Sequence, residues 1–240
     1  LANCGLGVAG VAEVATTIQA GATVARLILD KNPLTGGTWR DVDKDITGVT
    51  SLFDTLKTSS VTELGLAKCR LGPGSLGKLA EYVREATAAV ARLILNENPL
   101  TGGRRDSHFD TDITGIMALC DTLKTSSVTE LGLAKCRLGP GSLGKLAEYV
   151  RDADAAVARL ILDENPLTGG EYSWDFDKDI TGVVNLCDTL KTSSVTELSL
   201  AKCRLGPGSM GKLAEYVRDA EAAVARLILN KNTLPVGRYD

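Results

Sequence analysis

Aromatic residues make up only 4% of the 240-residue chain, and it contains one histidine, His108, and two methionines. A lone histidine with no positioned nucleophile or acid beside it gives no catalytic set, so no enzymatic activity, catalytic residue or cofactor is expected. Long hydrophobic runs are missing as well. None approaches the ~20 apolar residues that cross a bilayer, so no membrane span is expected. No basic-then-apolar signal stretch opens the sequence. Charge of one sign is also absent: 27 Lys and Arg stand against 30 Asp and Glu, a formal net charge of −3. That balance leaves no electrostatic footprint for nucleic acid. With 44% hydrophobic residues the chain is nevertheless too apolar to be disordered.

What is present is a repeat. The string Ala-Arg-Leu-Ile-Leu begins at Ala25, Ala91, Ala158 and Ala225, a period of 66 or 67 residues. Residues Asp54 to Arg84 are identical to Asp121 to Arg151, and the third copy, Asp188 to Arg218, differs only at Ser199 and Met210. Periods of this kind signal stacked repeats rather than an ordinary globular domain. Each module divides into two units with one apolar grammar. Val24, Leu27, Leu29, Asn32 and Leu34 occupy positions 1, 4, 6, 9 and 11 of one unit, and Val61, Leu64, Leu66, Cys69 and Leu71 the same positions of the next. The pattern restarts at Val90, Val128, Val157, Val195 and Val224.

The alternating Leu27 and Leu29 share one face of a short strand. Leu76, Leu79, Ala80 and Val83 follow at helical spacing with Ser75 as the expected N-cap. Ile46, Val49, Leu52, Phe53 and Leu56 do the same behind Asp45. A first helix is expected around Val11, Val14, Ala15 and Ile18. One strand and one helix per unit, stacked in parallel, give a single α/β solenoid over residues 1–240 with about seven to eight units.

The motif LxxLxLxxN/CxL resembles the leucine-rich repeat, and seven registered copies cover essentially the whole chain. The alternation of Asn-type and Cys-type units is similar to the ribonuclease-inhibitor subfamily, which includes the repeat regions of NOD-like receptors. The resemblance implies a horseshoe with strands on the concave side, helices on the convex side, and binding on the inner face. Here that face reads as framework. Position 3 runs Arg26, Glu63, Arg92, Glu130, Arg159, Glu197 and Arg226, which places opposite charges side by side on neighbouring strands. Position 5 alternates Ile28, Ile94, Ile161 and Ile228 with Gly65, Gly132 and Ser199, so that each large side chain leans over a small neighbour.

Two other strings read as structural. Cys4, Cys69, Cys136 and Cys203 all hold position 9, while Cys120 and Cys187 replace Phe53 on a helix's inner face. Equivalent positions two units apart lie about 10 Å from each other, beyond the ~7 Å a disulfide tolerates. Buried, reduced thiols in the cytoplasm or another reducing compartment are therefore expected. The string Gly72-Pro73-Gly74-Ser75-Leu76-Gly77-Lys78-Leu79 approaches a phosphate-binding loop, but Leu79 stands where a Ser or Thr would hold Mg²⁺. It recurs at Gly139 and Gly206, each time at a helix start.

The Asn-type units run to 37 or 38 residues, against 29 for the Cys-type. The extra length falls between Thr-Gly-Gly and Asp-Ile-Thr-Gly, at residues 38–44, 104–111 and 171–178. These segments differ strongly and hold both Trp residues, the only His and two of the three Phe. Insertions at a fixed repeat position form a row on one edge of a solenoid. Trp, Tyr and Arg are the residues of interface hot spots. The candidate partner-binding residues are Trp39, Arg40, Arg104, Arg105, His108, Phe109, Tyr172, Trp174 and Phe176. Against this stands the reading in which each insert folds its aromatic back onto the solenoid flank. Asp41-Val42-Asp43-Lys44-Asp45 and Asp175-Phe176-Asp177-Lys178-Asp179 suggest a cation, but Ile46 and Leu52 stand at the sixth and twelfth loop positions, where calcium needs Gly and an acid. Helix capping is the favoured account, and no metal is expected.

Leu1 enters at position 6 of a Cys-type unit, and Pro235 and Val236 replace the expected Thr-Gly near the other end. Neither end carries a polar capping repeat, as in a piece of a longer array or a chain whose ends meet other subunits. The expected function is protein–protein interaction through the inserts, with a structural spacer or assembly scaffold as the alternative.

Overall fold

The computed structural model describes residues 1–38, 41–103, 108–152, 157–170, 172, 175–219 and 224–232. Helices and strands alternate along the chain: α1 (Val8–Gln19), β1 (Arg26–Ile28), α2 (Thr47–Leu56), β2 (Glu63–Gly65), α3 (Pro73–Glu85), β3 (Arg92–Ile94), α4 (Thr114–Leu123), β4 (Glu130–Gly132), α5 (Pro140–Asp152), β5 (Arg159–Ile161), α6 (Thr181–Leu190), β6 (Glu197–Ser199), α7 (Pro207–Asp219) and β7 (Arg226–Ile228). The strands form one open parallel sheet in sequence order. Arg26 pairs with Glu63, Leu27 with Leu64 and Ile28 with Gly65, and that register repeats to β7. The chain is an α/β repeat solenoid. Among the described residues no helix is long and apolar enough to cross a membrane.

The motif leucines make a continuous core. Leu64, Leu66, Leu71, Leu76 and Leu79 are all within 1% of complete burial, as are their copies Leu131, Leu133, Leu138, Leu143 and Leu146. At roughly 1.5–3 kcal/mol for each fully buried Leu, neighbouring units hold one another in place, since no single unit can cover its own apolar face. Buried Asn98 closes the polar side of this arrangement. Its Nδ2 donates to the Leu66 and Leu95 carbonyls (2.7 and 2.8 Å), and its Oδ1 accepts from the Cys69 and Leu71 N–H groups (2.8 and 3.1 Å). Asn165 repeats the set one module on. The thiol of Cys69 reaches the Leu29 carbonyl at 3.2 Å.

Helices pair most closely between a Cys-type unit and the Asn-type unit that follows it, and glycine permits it. A Cβ on Gly115 would lie 2.5 Å from the Pro73 carbonyl oxygen and 3.0 Å from the Leu76 Cβ, so α4 docks on the start of α3 only because that position is bare. Gly48 and Gly182 make the same approach to α1 and α5. Val83 and Val150 are consequently 8% and 6% exposed, whereas Val217, on α7, is 55% exposed.

The charge ladder expected at position 3 and the large-over-small packing expected at position 5 are both present. Arg26 Nε lies 3.1 Å from Glu63, Arg92 Nε 3.0 Å from Glu130 and Arg159 Nε 3.2 Å from Glu197, and each Glu also reaches the next Arg. Ile28 and Ile94 lean over Gly65 and Gly132. Three local expectations need correction. Ser75 is not the N-cap: Gly72 is, with Pro73 opening the helix, and Ser75 lies buried in its first turn. Pro73 has the fixed φ and missing N–H that suit a first helical position, which shifts the start three residues upstream. Cys4 is exposed, unlike Cys69, Cys136 and Cys203. The Cys69 thiol meets the Leu29 carbonyl of the preceding unit, whereas the Cys4 thiol reaches the Ala2 carbonyl of its own unit. Tyr82, Tyr149 and Tyr216 are core residues that the helical pattern did not single out. Tyr82 stacks on Phe53 with ring centroids 6.1 Å apart.

Candidate functional site

The three inserts are rooted in the same way. Each is pinched shut at its base by a backbone hydrogen bond: Asp45 N–H to the Thr35 carbonyl (3.0 Å), Asp112 to Thr101 (2.9 Å), Asp179 to Thr168 (2.9 Å). Each then grips the following Cys-type unit at three points. The Thr35, Thr101 and Thr168 hydroxyls donate to the carbonyls of Arg70, Arg137 and Arg204 at 2.9, 2.8 and 2.7 Å. Those arginines return the contact, their guanidinium groups donating to the carbonyls of Gly37, Gly103 and Gly170.

The third point is an aspartate. Asp43 accepts hydrogen bonds from the Gly72 N–H (2.9 Å), the Ser75 N–H (3.0 Å) and the Ser75 hydroxyl. Asp110 does the same for Gly139 and Ser142, and Asp177 for Gly206, Gly208 and Ser209. The Gly-Pro-Gly-Ser turn that resembles a phosphate loop is thus filled by a carboxylate of the same chain, lent by the unit before. A helix N-terminus offers unpaired N–H groups and a partial positive charge, and an anion there satisfies both. Burial tends to raise the Asp177 carboxyl. The Ser209 hydroxyl and the N–H groups of Gly206, Ser209 and Gly208 outweigh that and hold it below the ordinary carboxylate value.

The second aspartate of each pair holds the start of its own helix from one residue before the N-cap, which is Ile46, Ile113 or Ile180 and not the expected aspartate. Asp45 accepts from the Thr47 N–H (2.9 Å) and hydroxyl (2.6 Å), and Asp112 and Asp179 act identically on Thr114 and Thr181. The threonine hydroxyl, seconded by its N–H, lowers the pKa of all three. The carboxylates of each Asp-x-Asp pair therefore serve two different helices, as the capping account requires.

Of the candidate partner-binding residues, Trp39, Arg40, Arg104, Arg105 and Trp174 lie outside the described residues, as does the stretch after Asn232. His108 is exposed, and Tyr172 is 53% exposed. Phe109 and Phe176 are half-buried against Gly139 and Gly206, where any added Cβ would collide with them. Val42 fills the corresponding place over Gly72. This position of the insert packs on the flank, whereas His108 and Tyr172 face outward. The sequence reading missed Asp43, Asp110 and Asp177 as the anchoring residues. Their signal was available: each stands two residues before the shared Asp-Ile-Thr-Gly, inside segments that otherwise differ.

The buried thiols are chemically quiet. Burial raises the pKa of Cys69, Cys120 and Cys136 to about 12 and of Cys187 to about 11. Cys203 is raised for the same reason. Neither a protein-family model nor a curated protein matches the chain.

Proposed function

We propose that the chain is a leucine-rich-repeat protein of the ribonuclease-inhibitor-like kind, serving as a non-catalytic protein-interaction module that recognises its partner through the insert row. One observation carries this reading. Identical brackets built on Asp43, Asp110 and Asp177 hold three dissimilar segments along one edge, two units apart. A rigid root under a variable tip is how folds present binding loops. The contact residues are Trp39, Arg40, Arg104, Arg105, His108, Tyr172 and Trp174, with Phe109 and Phe176 bracing the loops from beneath. In the test, residues 38–41, 104–108 and 171–175 are replaced by Gly-Ser linkers, leaving the three anchoring aspartates in place. Partner capture from a lysate is lost while circular dichroism and melting temperature are retained. Capture undiminished by the replacement overturns the reading.

A second reading, a spacer or assembly scaffold, draws on the half-burial of Phe109 and Phe176 and on the exposed Val217 face of α7. There the inserts are struts and a further repeat or subunit covers the end. Concentration-dependent assembly in light scattering, abolished by Val217→Asp and unaffected by the linker replacement, supports it.

A further inference from the structure

A groove of about 510 Å³ crosses the ends of five successive units, beginning beside Asn3. It is lined by Lys31, Lys68, Arg70, Lys135 and Arg137, with Glu97 the one acidic member. In a chain of net charge −3 this is a marked local excess of positive charge. The residues belong to two repeat positions, the eighth and the tenth, and all of them have left-handed φ between 56° and 63°. That shared backbone turn sets the side chains in a row at the carboxyl ends of the strands. Lys68 and Glu97 pair at 3.3 Å. Among the described residues, Lys31, Lys135 and Arg70 have no carboxylate within ion-pair distance, and Arg70's hydrogen bond goes to a backbone carbonyl. Pro33 and Pro99 add apolar wall between the cations.

We propose that this groove binds an extended acidic peptide segment of a partner protein, with carboxylates three residues apart. The spacing follows from the repeat. Lys68 and Arg70 lie two units from Lys135 and Arg137, about 10 Å at ~4.8 Å per strand, and an extended chain of the polyproline-II kind, three residues per turn at ~3.1 Å each, covers nearly the same distance in three residues and brings every third side chain back to one face. Four such inter-unit steps, about 19 Å, match some six residues of peptide. Glu97, midway, decides between polyanions. A nucleic-acid backbone carries charge at every step and meets repulsion there, whereas a peptide presents a neutral residue at that point. Pro33 and Pro99 offer contact to those intervening side chains. This surface is distinct from the insert tips and stands whether or not they bind.

The experiment is fluorescence anisotropy on the full chain. The probe is a dye-labelled peptide with glutamates at its second, fifth and eighth positions and alanine or valine between. A second peptide replaces each glutamate with glutamine, and oligouridylate serves as the nucleic-acid probe. The glutamate peptide binds and the glutamine peptide does not, with affinity falling as NaCl is raised to about 150 mM. Lys135→Glu weakens binding about tenfold, since an attraction becomes a repulsion. Glu97→Gln leaves the fold intact and strengthens it. The protein carrying Gly-Ser linkers in its inserts binds the peptide undiminished, which separates this site from the insert row. No binding of the glutamate peptide at millimolar concentration, indifference to both substitutions, or tighter binding of oligouridylate overturns the proposal.

Discussion

The Asp177 carboxylate accepts a hydrogen bond from the Ser209 N–H at 3.1 Å, joining two units across 32 residues of sequence. Ser209 is fully buried, so its donors have no water to turn to when the carboxylate is lost. The same bond recurs between Asp43 and Ser75 and between Asp110 and Ser142. Each insert is therefore part of the fold at its root, whatever its tip does, and the helix that receives it depends on the unit before.

A pH-dependent stability contribution follows at Asp177. Its folded pKa lies below the ordinary value, so the charged form favours folding. The contribution is complete above about pH 4, where the unfolded carboxyl is ionised, and is lost as the pH falls through the folded pKa. Asp177→Asn lowers unfolding free energy by about 1–2 kcal/mol at pH 7, the cost of a lost cap and buried donors. Urea titrations from pH 7 to pH 2.5 show the variant and parent curves converging in the acid range. A difference constant across pH means that the charge plays no part.

Asn98 answers to four backbone groups from two units, all buried. Asn98→Leu keeps the branched outline and removes every one of these bonds, leaving the Cys69 and Leu71 N–H groups and the Leu66 carbonyl unsatisfied and the Leu95 carbonyl with only the weak Cys136 thiol donor. At about 1–3 kcal/mol for each buried unsatisfied group, partly relieved by relaxation, a loss of at least about 3 kcal/mol is expected. Chemical denaturation measures it, and a loss below about 1 kcal/mol would show that the backbone repacks around the gap.

The solenoid was legible because its determinants recur at fixed spacing. Leu27 and Leu64 share a motif position and share a register pair, and Arg26 and Glu63 follow from the same count. Asp43 was hidden because its partners lie 29–32 residues away and its neighbours Trp39 and Val42 differ from the residues in the other inserts. Ser75 misled for the opposite reason. It is a common capping residue in a capping context, but its hydroxyl donates to Asp43 instead of accepting from its own helix. Tyr82 carries a polar hydroxyl yet is fully buried and stacked on Phe53 from the preceding helix, and Tyr149 and Tyr216 are equally buried where Cys120 and Cys187 replace that ring.

Two glycines on the helical face separate close packing from helix propensity. Gly115→Ala drives a methyl into the Pro73 backbone, which cannot swing aside, and lifts α4 off α3. Overpacking of this kind costs about 1–3 kcal/mol. Gly77 lies within α3 with nothing within 4 Å of an added Cβ, so Gly77→Ala stabilises by about 0.5–1 kcal/mol through backbone entropy. Melting temperatures of the two single variants move in opposite directions. A shift of the same sign in both would contradict the tight α3–α4 approach.

The thiols give the last test, because burial both shields five of them and raises their pKa values. Cys4 alone is exposed among six cysteines. The other five are buried, with pKa values pushed upward by loss of solvent, to about 11 at Cys187 and about 12 at Cys69, Cys120 and Cys136. Thiolate is the reacting species, so at pH 8 these five are both shielded and protonated. A chromogenic disulfide reagent modifies one thiol per chain promptly in native buffer and all six in denaturant. Cys4→Ser abolishes the prompt phase. The slow native phase then reports local opening of the units, and it quickens in Asp110→Ala most at Cys136, in the turn that Asp110 clamps. Equal acceleration at Cys69 would mean instead that losing one bracket loosens the whole stack.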